Sequence, residues 1–165
     1  MNDRPPAPGG LALVEALVNT LDVETGADSL DTPASRERFG LAPAEIPAAR
    51  DLREALRAAC LAHAGHGTAT ALDTLLTDAP LRVAVAPDGS AAVRAAGPPT
   101  LLSRVAEAIA TATADGTWTR LKACEAEDCH WAYYDRSPAG RSRWCSMSVC
   151  GARTKMRTYR ARRTP

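Results

Sequence analysis

Two cysteine pairs near the C-terminal end constrain this chain more than any other feature. Cys124 and Cys129 have four residues between them, as do Cys145 and Cys150, and fifteen residues separate the pairs. Four thiolates arranged this way can complete the tetrahedral sulfur shell that Zn²⁺ prefers. Four protein sulfurs leave no open coordination position, so the reading is one structural zinc ion rather than a catalytic one. Two disulfides are the competing outcome, disfavoured in a reducing compartment. A stretch of about 40 residues rarely builds a sufficient core alone, which makes the metal its expected staple.

The residues around these cysteines predict a path for the chain. Trp131, Tyr133 and Tyr134 read as a strand, Ser137-Pro138-Ala139-Gly140 as a turn, and Arg141 to Trp144 as a returning strand. Ser146 to Arg163 reads as a helix whose first turn carries Cys150. Knuckle, hairpin and helix together predict a small treble-clef-like zinc finger with four cysteine ligands.

The formal net charge of +1 conceals a strong asymmetry. Residues 1–119 hold nine Arg and no Lys against fifteen acids, a balance of −6; residues 120–165 hold eleven basic residues against four acids, a balance of +7. A basic segment of this density predicts an anionic partner. On a helical period Arg153, Arg157 and Arg160 share one face. Ala152, Met156, Tyr159 and Arg163 share another, which is expected to pack on the zinc module. Arg136, Arg141 and Arg143 precede them. The candidate nucleic-acid contacts are therefore Arg141, Arg143, Arg153, Lys155, Arg157, Arg160, Arg162 and Arg163, a set suited to a phosphate backbone. The alternatives are a solvated basic tail neutralised by the acidic part, a module docking an acidic protein surface, and single-stranded RNA stacking on Trp131, Tyr133 and Tyr134.

Residues 1–119 read as helical. Apolar types make up 45% of the chain, but 34 of those residues are Ala, and seven aromatics are too few to stock a large β-sandwich. Helical spacing appears from Leu11 to Leu21, from Ile46 to His63 and from Leu101 to Ala112, with shorter helices at Pro33 to Gly40 and Thr70 to Thr77. The period changes to two at Leu81, Val83 and Val85, answered by Ala91, Val93 and Ala95 across Pro87-Asp88-Gly89, which is a β-hairpin signal. The fold class expected is α+β, mainly helical: a flexible leader over 1–10, a helical domain with one hairpin over 11–119, and the finger with its basic helix over 120–165. Cys60 lies on an apolar face and reads as core. His63 and His66 read as a solvated helix end. No Gly-rich phosphate loop, G-x-S-x-G or acid/base pair is present, so no catalytic residue is assigned and an enzyme is the least supported class. No apolar run is long enough for a membrane span and the N-terminus lacks a signal-peptide pattern, so a cytoplasmic location is expected.

The stretch from Arg120 to Arg163 resembles the CGNR zinc-finger family: a Cys pair, an aromatic-Tyr-Asp-x-Ser turn, Arg-Trp-Cys-Ser-Met, then Cys-Gly-x-Arg with a basic helix. Upstream, LALVEALVNTLD resembles the opening of the ABATE domain that usually precedes this finger. The resemblance implies a stress-induced transcriptional regulator whose finger binds DNA and whose N-terminal domain takes a small-molecule effector. Asn19 and Thr20 are candidate pocket residues on that reading, with helix capping and packing an equal account of them. A homodimer would be usual for a regulator. One departure stands out: Ala152 occupies the position of the family's Asn, so no base contact assigned to that Asn carries over.

Overall fold

A computed structural model describes residues 4–162. Five helices precede the cysteine-rich part. α1 (Leu11–Val18) buries Leu11, Val14, Leu17 and Val18. α2 (Pro33–Phe39) starts where the Thr32 hydroxyl accepts the Ser35 N–H at 3.2 Å and stops at Gly40, whose φ of +68° is left-handed. α3 (Ile46–His63) buries the face carrying Ile46, Ala49, Leu52, Leu56, Ala59 and Cys60, and α4 (Thr70–Leu76) folds back onto it. α5 (Leu101–Ala114) is capped by the Thr100 hydroxyl, which accepts from the Ser103 N–H. It passes so near α1 that a Cβ on Gly10 would come within 2.7 Å of the Ala108 methyl.

Between α4 and α5, β1 (Leu81–Val85) and β2 (Ala91–Ala95) form the expected antiparallel hairpin, with Leu81 opposite Ala95 and Val83 opposite Val93. Its apolar alternation does not mark a buried face. Val83 and Val85 are each 69% exposed, because α5 packs mainly on β2, where Glu107 accepts the Ala95 N–H.

The second hairpin differs from the sequence expectation. β4 (Ala132–Tyr134) pairs with β3 (Leu121–Ala123), not with Arg141–Trp144, which is irregular. The physical reason is burial. Leu121, Ala123, Ala132 and Tyr134 join the same apolar cluster as α1, α3 and α5, whereas a strand bearing Arg141 and Arg143 could not. The cysteine-rich part is therefore built onto the main core through β3 and β4. His63, expected to be solvated, is half-buried for the same reason: its Nδ1 lies 2.7 Å from the Leu121 carbonyl oxygen and its ring meets Trp118 edge-on. Burial lowers its pKa, outweighing the hydrogen bond to Leu121.

The last segment is a π-helical turn, Met147–Gly151, continuing into α6 (Ala152–Ala161). No residue of α6 is buried. Met156 and Tyr159, expected to pack on the zinc module, are 51% and 53% exposed. Residues 4–10, expected as part of a flexible leader, are held in place: Arg136 of the finger donates to the carbonyls of Pro5 and Pro6, and Ala7 is buried in the main core with its N–H donating to Glu15. Met1, Asn2, Asp3 and Arg163 lie outside the described residues. No helix among the described residues is long and apolar enough to cross a membrane.

Candidate metal centre

The first cysteine pair occupies the turn of the β3–β4 hairpin. Cys124 directly follows β3, and its N–H donates to the Trp131 carbonyl at 3.0 Å. The chain reverses as the Cys129 N–H donates to the Ala126 carbonyl. His130 completes the reversal at φ +49°, the only non-glycine positive φ among the described residues. In the second pair, Cys145 precedes the π-helical turn and Cys150 lies within it. There the Ser146 hydroxyl accepts the Val149 N–H and the Ser146 carbonyl accepts the Gly151 N–H, which brings Cys150 back beside Cys145.

The four sulfurs lie within 4.8 Å of one another, with Cys129–Cys145 at 3.6 Å and Cys145–Cys150 at 3.7 Å. Zn–S bonds of about 2.3 Å in a tetrahedron place sulfurs about 3.8 Å apart, so this set fits the metal. Cys124, Cys145 and Cys150 are buried and Cys129 is half-buried. Sulfurs this close cannot all ionise without a cation among them. Hydrogen bonds from Cys129 and Cys145 draw the Cys124 thiol far down, and its thiolate in turn pushes Cys129 and Cys145 up. A divalent cation relieves that conflict and favours four thiolates at once.

The surroundings hold the cysteines in place. Tyr133 is fully buried under the site and donates its hydroxyl to the Ser142 carbonyl at 2.6 Å. Arg4 lies over the Tyr133 ring and donates to the carbonyls of Trp144 and Cys145. Gly151 is required for space rather than for backbone freedom: a Cβ there would fall 2.4 Å from the Trp144 ring.

Three supporting residues lie outside the site residues expected from the sequence. Asp135 is fully buried and accepts from the Ser137 N–H, the Ser142 N–H and the Lys122 ammonium, at 3.0, 2.9 and 3.1 Å. Burial pushes its carboxyl up, but those hydrogen bonds together hold it well below the ordinary carboxylate range. Lys122 also donates to the Gly140 carbonyl, so the pair ties the 136–142 loop to β3. The Tyr-Asp-x-Ser turn is visible in sequence, but a buried lysine partner thirteen residues earlier leaves no local mark. The third residue is Arg57. From α3 it donates to the Val18 carbonyl at the end of α1 and to the His130 carbonyl in the knuckle, at 2.8 and 2.9 Å. Arg57→Met is expected to strand the buried Val18 carbonyl, costing about 1–3 kcal/mol, and to cost less at the part-buried His130 carbonyl. Urea unfolding of the zinc-loaded chain measures this, and an unchanged midpoint would refute the bridging role.

The basic residues do not form one face. Arg153 pairs with Glu24 at 3.1 Å and Arg157 with Asp128 at 2.5 Å. Arg160 lines the same acid-containing cleft, beside Val149 and Met156. On the opposite flank of α6, Arg141, Lys155 and Arg162 line a cleft of about 790 Å³ together with Arg4, Arg143, Trp144 and Tyr159. No carboxylate among the described residues lines it. Arg143 pairs with Glu125 at 2.6 Å and lies 4.5 Å over the Trp144 ring. Among the described residues no acid pairs with Arg141, Lys155 or Arg162. Ala152 is exposed on the acid-containing side.

Asn19 and Thr20 lie at the end of α1. The Asn19 amide accepts the Ala132 N–H at 2.7 Å and donates to the Ala132 carbonyl at 2.9 Å, standing in for a neighbouring strand along β4. The Thr20 hydroxyl donates to the Leu17 carbonyl and accepts from Arg53. Both also line a shallow cleft of about 580 Å³ whose far wall includes Trp131.

Residues 120–163 match the family described as the CGNR zinc finger. No curated protein matches the chain. The matched segment contains all four sulfurs, which make up one structural zinc site.

Proposed function

We propose that the chain is a DNA-binding regulatory protein whose zinc-stapled C-terminal part contacts the nucleic acid. One observation carries this reading: α6 stands clear of the core with no buried side chain, and one flank presents cations to an acid-free cleft. Exposed cations without an acidic partner are what a phosphate backbone selects, through release of its counterions. The proposed role is binding rather than catalysis. An ABATE-like reading of residues 11–119 would make them the effector-responsive part, with the cleft beside Asn19 and Thr20 as the place a small molecule enters. Trp131 joins that cleft to the zinc knuckle, which gives an occupant a route to the metal site.

The test is retention of nucleic acid by the zinc-loaded chain as salt is raised. Affinity is expected to fall steeply. Lys155→Glu with Arg162→Glu is expected to weaken binding and flatten the salt slope by roughly one unit for each phosphate no longer neutralised. Absence of binding at low salt would overturn the reading. A second reading has its own support. Arg153 and Arg157 bond Glu24 and Asp128 of their own chain, so that flank of α6 would suit an acidic protein surface whose carboxylates replace those two. Binding that survives Lys155→Glu and Arg162→Glu but is lost with Arg153→Glu and Arg157→Glu would favour it.

A further inference from the structure

We infer that the acid-free cleft beside α6 takes an unstacked, single-stranded segment of nucleic acid rather than the side of a closed duplex; this rests on the nucleic-acid reading above. Lys155 and Arg162 lie two turns apart on one flank of the helix, about 10 Å along its axis. Tyr159 lies between them on that flank and lines the same cleft. Facing the helix, Arg141 adds a third cation, and the Arg143 guanidinium lies over Trp144 with its position fixed by Glu125. The cleft thus has cations along it and flat π surfaces within it, Tyr159 on one wall and the Arg143–Trp144 stack on the other.

Those flat surfaces decide between the two forms of nucleic acid. In a duplex the base faces are stacked on one another, and only edges and phosphates reach a protein. Tyr159, more than half exposed, and Met147, 57% exposed, would gain little there. A single strand offers every base face, and sequence-tolerant stacking on aromatic rings and Arg planes is how such strands are held. A cleft of about 790 Å³ is in the range that encloses a small ligand, room for a base with its phosphate. α6 contains no Asn or Gln to read adenine edges, and position 152 is Ala. The occupant is therefore held by backbone charge and base stacking, with little dependence on sequence. Tyr133 and Tyr134, the tyrosines that the sequence offers for stacking, do not serve it, since both are buried.

The experiment compares labelled oligothymidylate, oligouridylate and a mixed-sequence duplex of equal length against the full zinc-loaded chain at one low salt concentration. Both single strands are expected to bind at least tenfold tighter than the duplex. Tyr159→Leu, at an exposed position, is expected to weaken single-strand binding about tenfold while leaving duplex binding and zinc content unchanged. The ratio of thymidylate to uridylate affinity separates DNA from RNA as the source. Duplex binding equal to or tighter than single-strand binding, or an unaffected Tyr159→Leu, overturns the inference and leaves the nucleic-acid reading standing. Failure of all three probes to bind overturns both.

Discussion

Removal of zinc by a chelator is expected to abolish the tertiary structure around Tyr133 and to destabilise the whole chain, not the finger alone. A structural zinc site contributes about 10–16 kcal/mol of apparent binding free energy at neutral pH. That equals or exceeds the net stability of a typical domain, about 5–15 kcal/mol. Among the described residues, the small cluster around the cysteines has as buried members only Ala126, Tyr133, Cys124, Cys145 and Cys150, with Cys129, Trp131 and Trp144 partly buried against it. It cannot replace the metal with apolar burial. The loss spreads because β3 and β4 present one face to the metal cluster and the other to α1 and α3. Near-ultraviolet circular dichroism should collapse on chelation and return with added zinc. Cys150→Ser should behave like the chelated protein. A chelated chain that kept its aromatic dichroism and its Tm would rule out the structural role.

The second large effect is expected at Asp135. Asp135→Ala removes the partner of a buried ammonium, since Lys122 is itself buried. Breaking a buried pair from one side costs about 3–5 kcal/mol, mostly from the stranded charge. Adding Lys122→Met to that variant should therefore recover part of the loss, and the double-mutant cycle gives the coupling directly. The pH dependence has a definite sign. The folded Asp135 carboxyl titrates well below its unfolded value of about 3.9, so its stabilisation is fully present above that pH. It is lost as pH falls from there through the folded value. Asp135→Asn should flatten the acid limb of the stability curve in that window, and an unaltered limb would sink the assignment.

Much of this is legible in the sequence because the signals are local. The zinc ligands are two short spacings, and the helices declare themselves by apolar recurrence. The β1–β2 hairpin is likewise a turn between two alternating runs. Pairing of β4 is not local. Arg141–Trp144 has the right spacing for a return strand, but Leu121–Ala123 has the side chains that the core can accept. Helical periodicity groups Arg153, Arg157 and Arg160 correctly, but the second face it draws is divided: Ala152 and Met156 lie on the arginine side, Tyr159 lines the opposite cleft, and no residue of α6 is buried.

By itself, then, the sequence determined the metal ligands, the main helices with the β1–β2 hairpin, and the concentration of positive charge after residue 119. Tertiary structure alone decided which of those charges remain available. Arg153 meets an acid 129 residues away and Arg157 one 29 residues away, whereas Arg141, Lys155 and Arg162 border a cleft that no described carboxylate lines. Ligand spacing is a property of a short stretch of chain, so it can be read there. Neutralisation of a charge depends on distance in space: the docking of the cysteine-rich part on the helical core brings Glu24 to Arg153, and the closure of the knuckle brings Asp128 to Arg157.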